Sequence, residues 1–87
     1  MLDVDAAAVG DRVRFAAEWD IPGRVVIPTG TLATVKHVPD YDAQLLAVVP
    51  DDISLQAPLT LWRGEVWFEV PEQLSDAQVT LEPAGPY

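Results

Sequence analysis

The chain's 87 residues are enough for one domain and too few for two, and the 49 % that are hydrophobic can supply a small core. Fourteen acidic residues against 5 basic give a formal charge of −9, which disfavours direct contact with a nucleic-acid backbone and favours solubility or a basic protein partner. There is no cysteine for disulfides or thiolate metal sites. No apolar run approaches the roughly 20 residues of a membrane span, and no basic, apolar leader opens the sequence, so a soluble, cytoplasmic protein is expected.

Residues 1–8, MLDVDAAA, read as a short strand or a ragged start, too short for a stable helix. Gly10-Asp11 then turns the chain into a first firm strand within residues 9–16, with Val13 and Phe15 on one face and Arg12 and Arg14 on the other. That second face is either a basic spot or a site of salt pairing with surrounding carboxylates. Residues 17–30 form a long connection punctuated by Pro22, Gly23, Pro28 and Gly30, with a short strand at 24–27. Within it, Glu18, Trp19 and Asp20 set an indole between two carboxylates. This trio can hold a basic or proline-containing peptide, or Trp19 can fold back as a lid over an open end of the core.

GTLATVKHV, residues 30–38, is rich in β-branched residues and reads as the second main strand. Leu32 and Val35 cannot share a face under strict alternation, so both faces are partly buried or a bulge lies near Ala33-Thr34. His37 is the only histidine and reads as a structural residue at a strand end. After a turn at 39–44, the continuous apolar run of residues 44–50 reads as a third strand buried on both sides. Asp40, Asp42, Asp51 and Asp52 carry oxygen ligands suited to a hard cation, but their spacing is not that of a calcium loop, and solvated turn carboxylates are the simpler reading.

Residues 53–58 lead into LTLWRGEVWFEV, residues 59–70, with Pro58 marking a break or an edge. This stretch reads as two strands joined by a type II′ turn at Gly64-Glu65. The register then sets Trp62 opposite Trp67 and Leu61 opposite Phe68. Leu59, Leu61, Val66, Phe68 and Val70 share a core face; Thr60, Trp62, Trp67 and Glu69 share the other. The tryptophans on that second face either cover a small second core or form a contact surface. PEQL, 71–74, reads as a single helical turn with Pro71 at an early position, 77–83 as a last strand with Val79 and Leu81 inward, and AGPY as a frayed tail.

Short strands, Gly/Pro-rich connections and almost no helix predict an all-β barrel or sandwich of five or six mostly antiparallel strands. GDRVRF at 10–15, GTLATV at 30–35, LLAVV at 45–49 and VWFEVPEQL at 66–74 resemble the pattern of SH3-like accessory proteins. Among these are the small photosystem I peripheral subunit and the C-terminal domain of nitrile hydratase β subunits. Residues 51–63 are longer and more apolar than that pattern. The resemblance implies a single SH3-like domain over 1–87, with 1–8 and 83–87 peripheral, and a non-catalytic docking role. No Ser/His/Asp set, metal-ligand cluster or phosphate-cradling glycine loop argues for an enzyme or a cofactor. The expectation is an interaction module that contacts a protein partner through Glu18, Trp19, Asp20, Trp62, Trp67 and Glu69. The alternative is an acidic inhibitor that imitates nucleic acid. Apolar segments beyond the needs of one small core, together with edge strands, point to a homodimer or a stable complex.

Overall fold

Alternation sets the first strand. In β1 (Arg12–Phe15) Val13 and Phe15 are fully buried, while Arg12 and Arg14 face outward. The computed structural model describes residues 2–69 and 72–85. Over these, β1 is followed by β2 (Trp19–Ile21), β3 (Val25–Ile27), β4 (Leu32–His37) and β5 (Leu45–Pro50). Then come a short helix α1 (Ile53–Gln56), a 3₁₀ segment (Ala57–Trp62), β6 (Val66–Glu69), α2 (Glu72–Thr80) and β7 (Leu81–Pro83). Five strands make one antiparallel sheet in the order β6-β5-β4-β1-β7, and β2 pairs with β3 as a separate ribbon. The result is a curled, mostly β half-barrel, as the strand and turn signals predict.

The core lies inside the curl. Phe15, Ile27, Val35, Leu46, Leu59, Phe68 and Leu81 are all fully enclosed there. Burying each such side chain contributes about 1.5–3 kcal/mol. The run on β5 is buried on both faces, at Leu46, Ala47 and Val48, as its unbroken hydrophobicity requires. The irregularity expected in β4 is present but lies further along: the pairing with β5 shifts between Val35 and His37. Ala33 and Val35 then both point inward, and Leu32 is left at the surface.

The outward arginines are paired. Arg12 forks onto the carboxylate of Asp51, its Nη1 donating to Oδ1 at 2.9 Å and its Nη2 to Oδ2; Nη1 also donates to Thr34 Oγ1 at 2.6 Å. Arg14 reaches Glu82 at 3.3 Å. His37 Nδ1–H donates to Leu45 O at 3.0 Å, and its Nε2 lies 3.3 Å from Asp40 Oδ2, so it holds a strand end in place.

Four segments differ from the sequence reading. The connection at 17–30 holds the short strand expected at 24–27, as β3, and adds β2 to it as a hairpin: Trp19, Asp20 and Ile21 face Ile27, Val26 and Val25. Pro22 and Gly23, with φ +75° at the glycine, suit the centre of a type II turn closed by Arg24 N–H donating to Ile21 O at 3.0 Å.

The hairpin expected at 59–70 does not form. Residues 53–62 are helical, and only Val66–Glu69 is a strand, paired with β5 rather than with residues 59–63. Gly64 does take φ +77°, but as a helix ending: its N–H donates to Leu59 O at 2.9 Å, and Arg63 is left-handed with φ 58°. A type II′ turn and a helix C-terminus ask the same thing of a glycine, and here the second claim wins. Asp52 caps the other end, Oδ1 accepting from Ser54 N–H at 2.9 Å and from its hydroxyl at 2.7 Å. Leu55, Leu59 and Trp62, spaced four and three apart, turn one helical stripe to the core. Pro58 sits near the start of the 3₁₀ segment, where its missing N–H costs little. Leu61, expected inside, is 71 % exposed.

The turn expected at 71–74 continues as α2 to Thr80, so residues 77–80 are helix rather than strand, and Val79 is 73 % exposed. Leu74, Ala77 and Thr80 are buried along α2 at a spacing of three, which sets them on one helical face. Only Leu81–Pro83 pair, with β1. At the chain's start, Val4–Ala6 form a 3₁₀ turn with Leu2 and Val4 buried, and Leu2 N–H donates to Leu81 O at 3.2 Å. Ala84 N–H donates to Arg12 O at 2.9 Å. Val70, read as a core residue, Pro71, and Pro86-Tyr87 of the tail lie outside the described residues.

Candidate partner-binding site

The β2–β3 ribbon packs against the core through Ile27, with Trp19, Ile21 and Val25 partly buried beside it, and Trp19 meets an aromatic ring of β6. Its ring lies 4.6 Å from that of Phe68, tilted by 46°. Offset and tilted ring pairs of this kind add about 0.5–1.5 kcal/mol to simple burial. Trp19 is therefore half lid, half wall: one side closes the core and the other is accessible.

Trp62 arrives from the end of the 3₁₀ segment and packs partly against the core. Above its ring sits the guanidinium of Arg24, with Cζ 5.1 Å from the centroid. That is within the roughly 6 Å over which a cation is attracted to an aromatic face. Trp67 comes from β6. Alternation turns Val66 and Phe68 inward and Trp67 and Glu69 outward. Trp67 stands opposite Ala47 on the sheet's outer face and is 38 % exposed. Its Nε1–H donates to Glu65 Oε2 at 2.8 Å, which fixes the ring's orientation. Glu69 is placed by its own main-chain N–H, which donates to Gln73 Oε1 at 3.1 Å.

These pieces meet. A cleft of about 190 Å³ runs between the ribbon, the 3₁₀ segment and β6, the end strand of the sheet. Its walls include Trp19, Asp20, Trp62, Trp67 and Glu69, together with Ile21, Pro22, Leu59, Glu65, Val66 and Gln73. Five of the six residues expected at a contact site thus share one cleft; Glu18 is exposed just before β2 and does not line it. The stacking of Trp62 on Trp67 across a hairpin is not what joins them. Trp62 packs toward the core from a helical segment, and Trp67 faces outward from a strand paired elsewhere.

Comparison with protein families, curated proteins and solved structures gives no match. The site is therefore read from its chemistry alone.

Sequence reasoning did not single out Glu65, Arg24 or Gln73. Glu65 and Trp67 stand two apart, so a strand through both would have placed them on one face. Arg24 and Gln73 reach the site only through the fold. What the arrangement offers is three indoles, three carboxylates in Asp20, Glu65 and Glu69, and no nucleophile held against a base. Among the described residues no group of three or more His, Cys, Asp or Glu could hold a metal ion, and no helix is long and apolar enough to cross a membrane.

The four turn aspartates are elsewhere. Asp40 Oδ1 accepts from Asp42 and Ala43 N–H, both at 2.8 Å, Asp51 pairs with Arg12, and Asp52 caps α1. The Ala43 N–H holds the Asp40 carboxyl below its ordinary value, with the Asp42 N–H and His37 adding to the effect against some desolvation. The Ser54 hydroxyl, and then the Ser54 N–H, does the same for Asp52.

Proposed function

We propose that this protein is a non-catalytic interaction or accessory module that docks a basic partner protein through the tryptophan cleft. The observation that carries this reading is that Trp19, Trp62 and Trp67 line one cleft together with Asp20, Glu65 and Glu69. Tryptophans dominate binding energetics at protein interfaces, and a carboxylate rim selects for cations and against nucleic acid. The cleft is smaller than the roughly 300–1,000 Å³ of ordinary small-molecule sites, so it suits one side chain of a larger partner better than a free metabolite. The resemblance of the strand pattern to SH3-like accessory subunits agrees with such a role.

The test is selection from a random peptide library followed by titration against Trp67→Ala. Trp67 is exposed enough that its loss should leave the melting temperature within a few degrees. Selected peptides should be basic and should lose tenfold or more in affinity to the variant. Peptides that bind wild type and variant equally would overturn the reading.

A further inference from the structure

Arg24 is placed unlike the other arginines near the sheet. Arg12 and Arg14 lie on carboxylates, at Asp51 and Glu82. Arg24 lies on an indole. It sits at the tip of the β2–β3 ribbon, exposed, and among the described residues no ion pair with a carboxylate engages it. Its guanidinium covers the ring of Trp62, one wall of a cleft whose other walls include Asp20, Glu65 and Glu69.

We propose that the cleft's ligand is an arginine side chain of the partner protein, seated among the indoles with the carboxylates of Asp20, Glu65 and Glu69 around it. This rests on the reading of the cleft as the docking site. The size argument selects one side chain: about 190 Å³ holds a guanidinium and part of its stem but not a folded element. The charge argument selects a cation, because three carboxylates stand around the indoles and the whole chain carries −9. The geometry argument selects arginine over lysine. A planar guanidinium lies flat on an indole while its edge donates in a fork to carboxylates, and an ammonium has neither the plane nor the fork. Arg24 stacked over Trp62 is the protein's own demonstration that the face accepts this group.

The probe is a fluorescein-labelled decapeptide of alternating glycine and arginine, with lysine and citrulline counterparts, titrated by anisotropy against the full chain. The arginine peptide should bind several-fold tighter than the lysine peptide, and the citrulline peptide, which keeps the shape without the charge, should not bind measurably. Trp67→Ala and Glu69→Gln should each weaken the arginine peptide several-fold with the circular dichroism spectrum unchanged. Equal binding of lysine and arginine peptides, or an arginine peptide that binds wild type and Trp67→Ala equally, would overturn the proposal. If library peptides bind through Trp67 yet tolerate citrulline in place of every arginine, this inference fails and the docking site stands. If no peptide depends on the tryptophans, both fall.

Discussion

The two flanks of the half-barrel handle charge in opposite ways. Along β1, each outward arginine is matched: Arg12 is held in a fork by Asp51 and bonded to Thr34, and Arg14 meets Glu82 across the pairing with β7. Along β6, the carboxylates of Glu65, Glu69 and Asp20 surround tryptophans, and the nearby cation of Arg24 rests on a ring. The first flank is electrostatically complete and adds to stability. The second carries negative charge beside partly accessible aromatic surface. In a protein of net charge −9, Arg12 and Arg14 pair with carboxylates along the sheet, while the three carboxylates of the cleft have no ion pair among the described residues. That contrast locates the contact site and separates residues whose loss should harm folding from residues whose loss should harm binding.

The largest effect should come from the floor beneath both flanks. Phe68 is fully buried and supports Trp19, so Phe68→Ala should destabilise by about 3–5 kcal/mol in a urea titration. A loss under about 1 kcal/mol would mean that the ribbon and sheet do not share a core. Next comes the direct contrast of the flanks. Arg12 has a side chain only 15 % exposed and bonds to two partners, so Arg12→Ala should cost about 1–2 kcal/mol, between the values for exposed and buried pairs. Glu69→Gln, on the cleft rim, should change stability by no more than about 0.5 kcal/mol. Equal losses in the two variants would erase the distinction between a structural and a functional flank.

The smallest effect is a dependence on pH. Asp40 and Asp52 both have folded-state pKa values lowered from 3.8, by the hydrogen bonds of Ala43 and Ser54 respectively. A lowered folded pKa means that the stabilisation is fully present above the unfolded value and is lost as pH falls through the folded one. Melting temperature should therefore decline below about pH 4, and less steeply in Asp52→Asn than in wild type. An identical acid profile in the variant would show that the cap at α1 contributes nothing.

Much of the sheet was legible because strict alternation has one solution. Val13 and Phe15 could only face one way, and the unbroken apolar run of β5 could only be buried on both sides. The segment at 53–62 was misread because two signals overlap there. Leu59, Leu61, Val66 and Phe68 alternate around a glycine and so imitate a hairpin, while Leu55, Leu59 and Trp62 repeat at a helical period and start from an aspartate cap. The choice between them is made by tertiary pairing: β5 takes β6 as its neighbour, and residues 59–63 are left to coil. The same ambiguity hid α2, where Val79 and Leu81 alternate but Leu74, Ala77 and Thr80 follow the helix. The cleft was legible as residue types and not as a place. Tryptophans beside carboxylates stood out in the sequence, but their convergence depends on the ribbon folding over β6.

Nuclear magnetic resonance tests the central claim most directly, because the chain has only three tryptophans and all of them line the cleft. In a ¹⁵N-labelled sample titrated with the alternating glycine–arginine decapeptide, the indole N–H signals of Trp19, Trp62 and Trp67 should move together. The amides of β6 and of the β2–β3 turn should follow, while those of β1 and β7 stay in place. Shifts concentrated around Arg12, Arg14 and β7, or spread evenly over the acidic surface with the three indoles unmoved, would contradict the account.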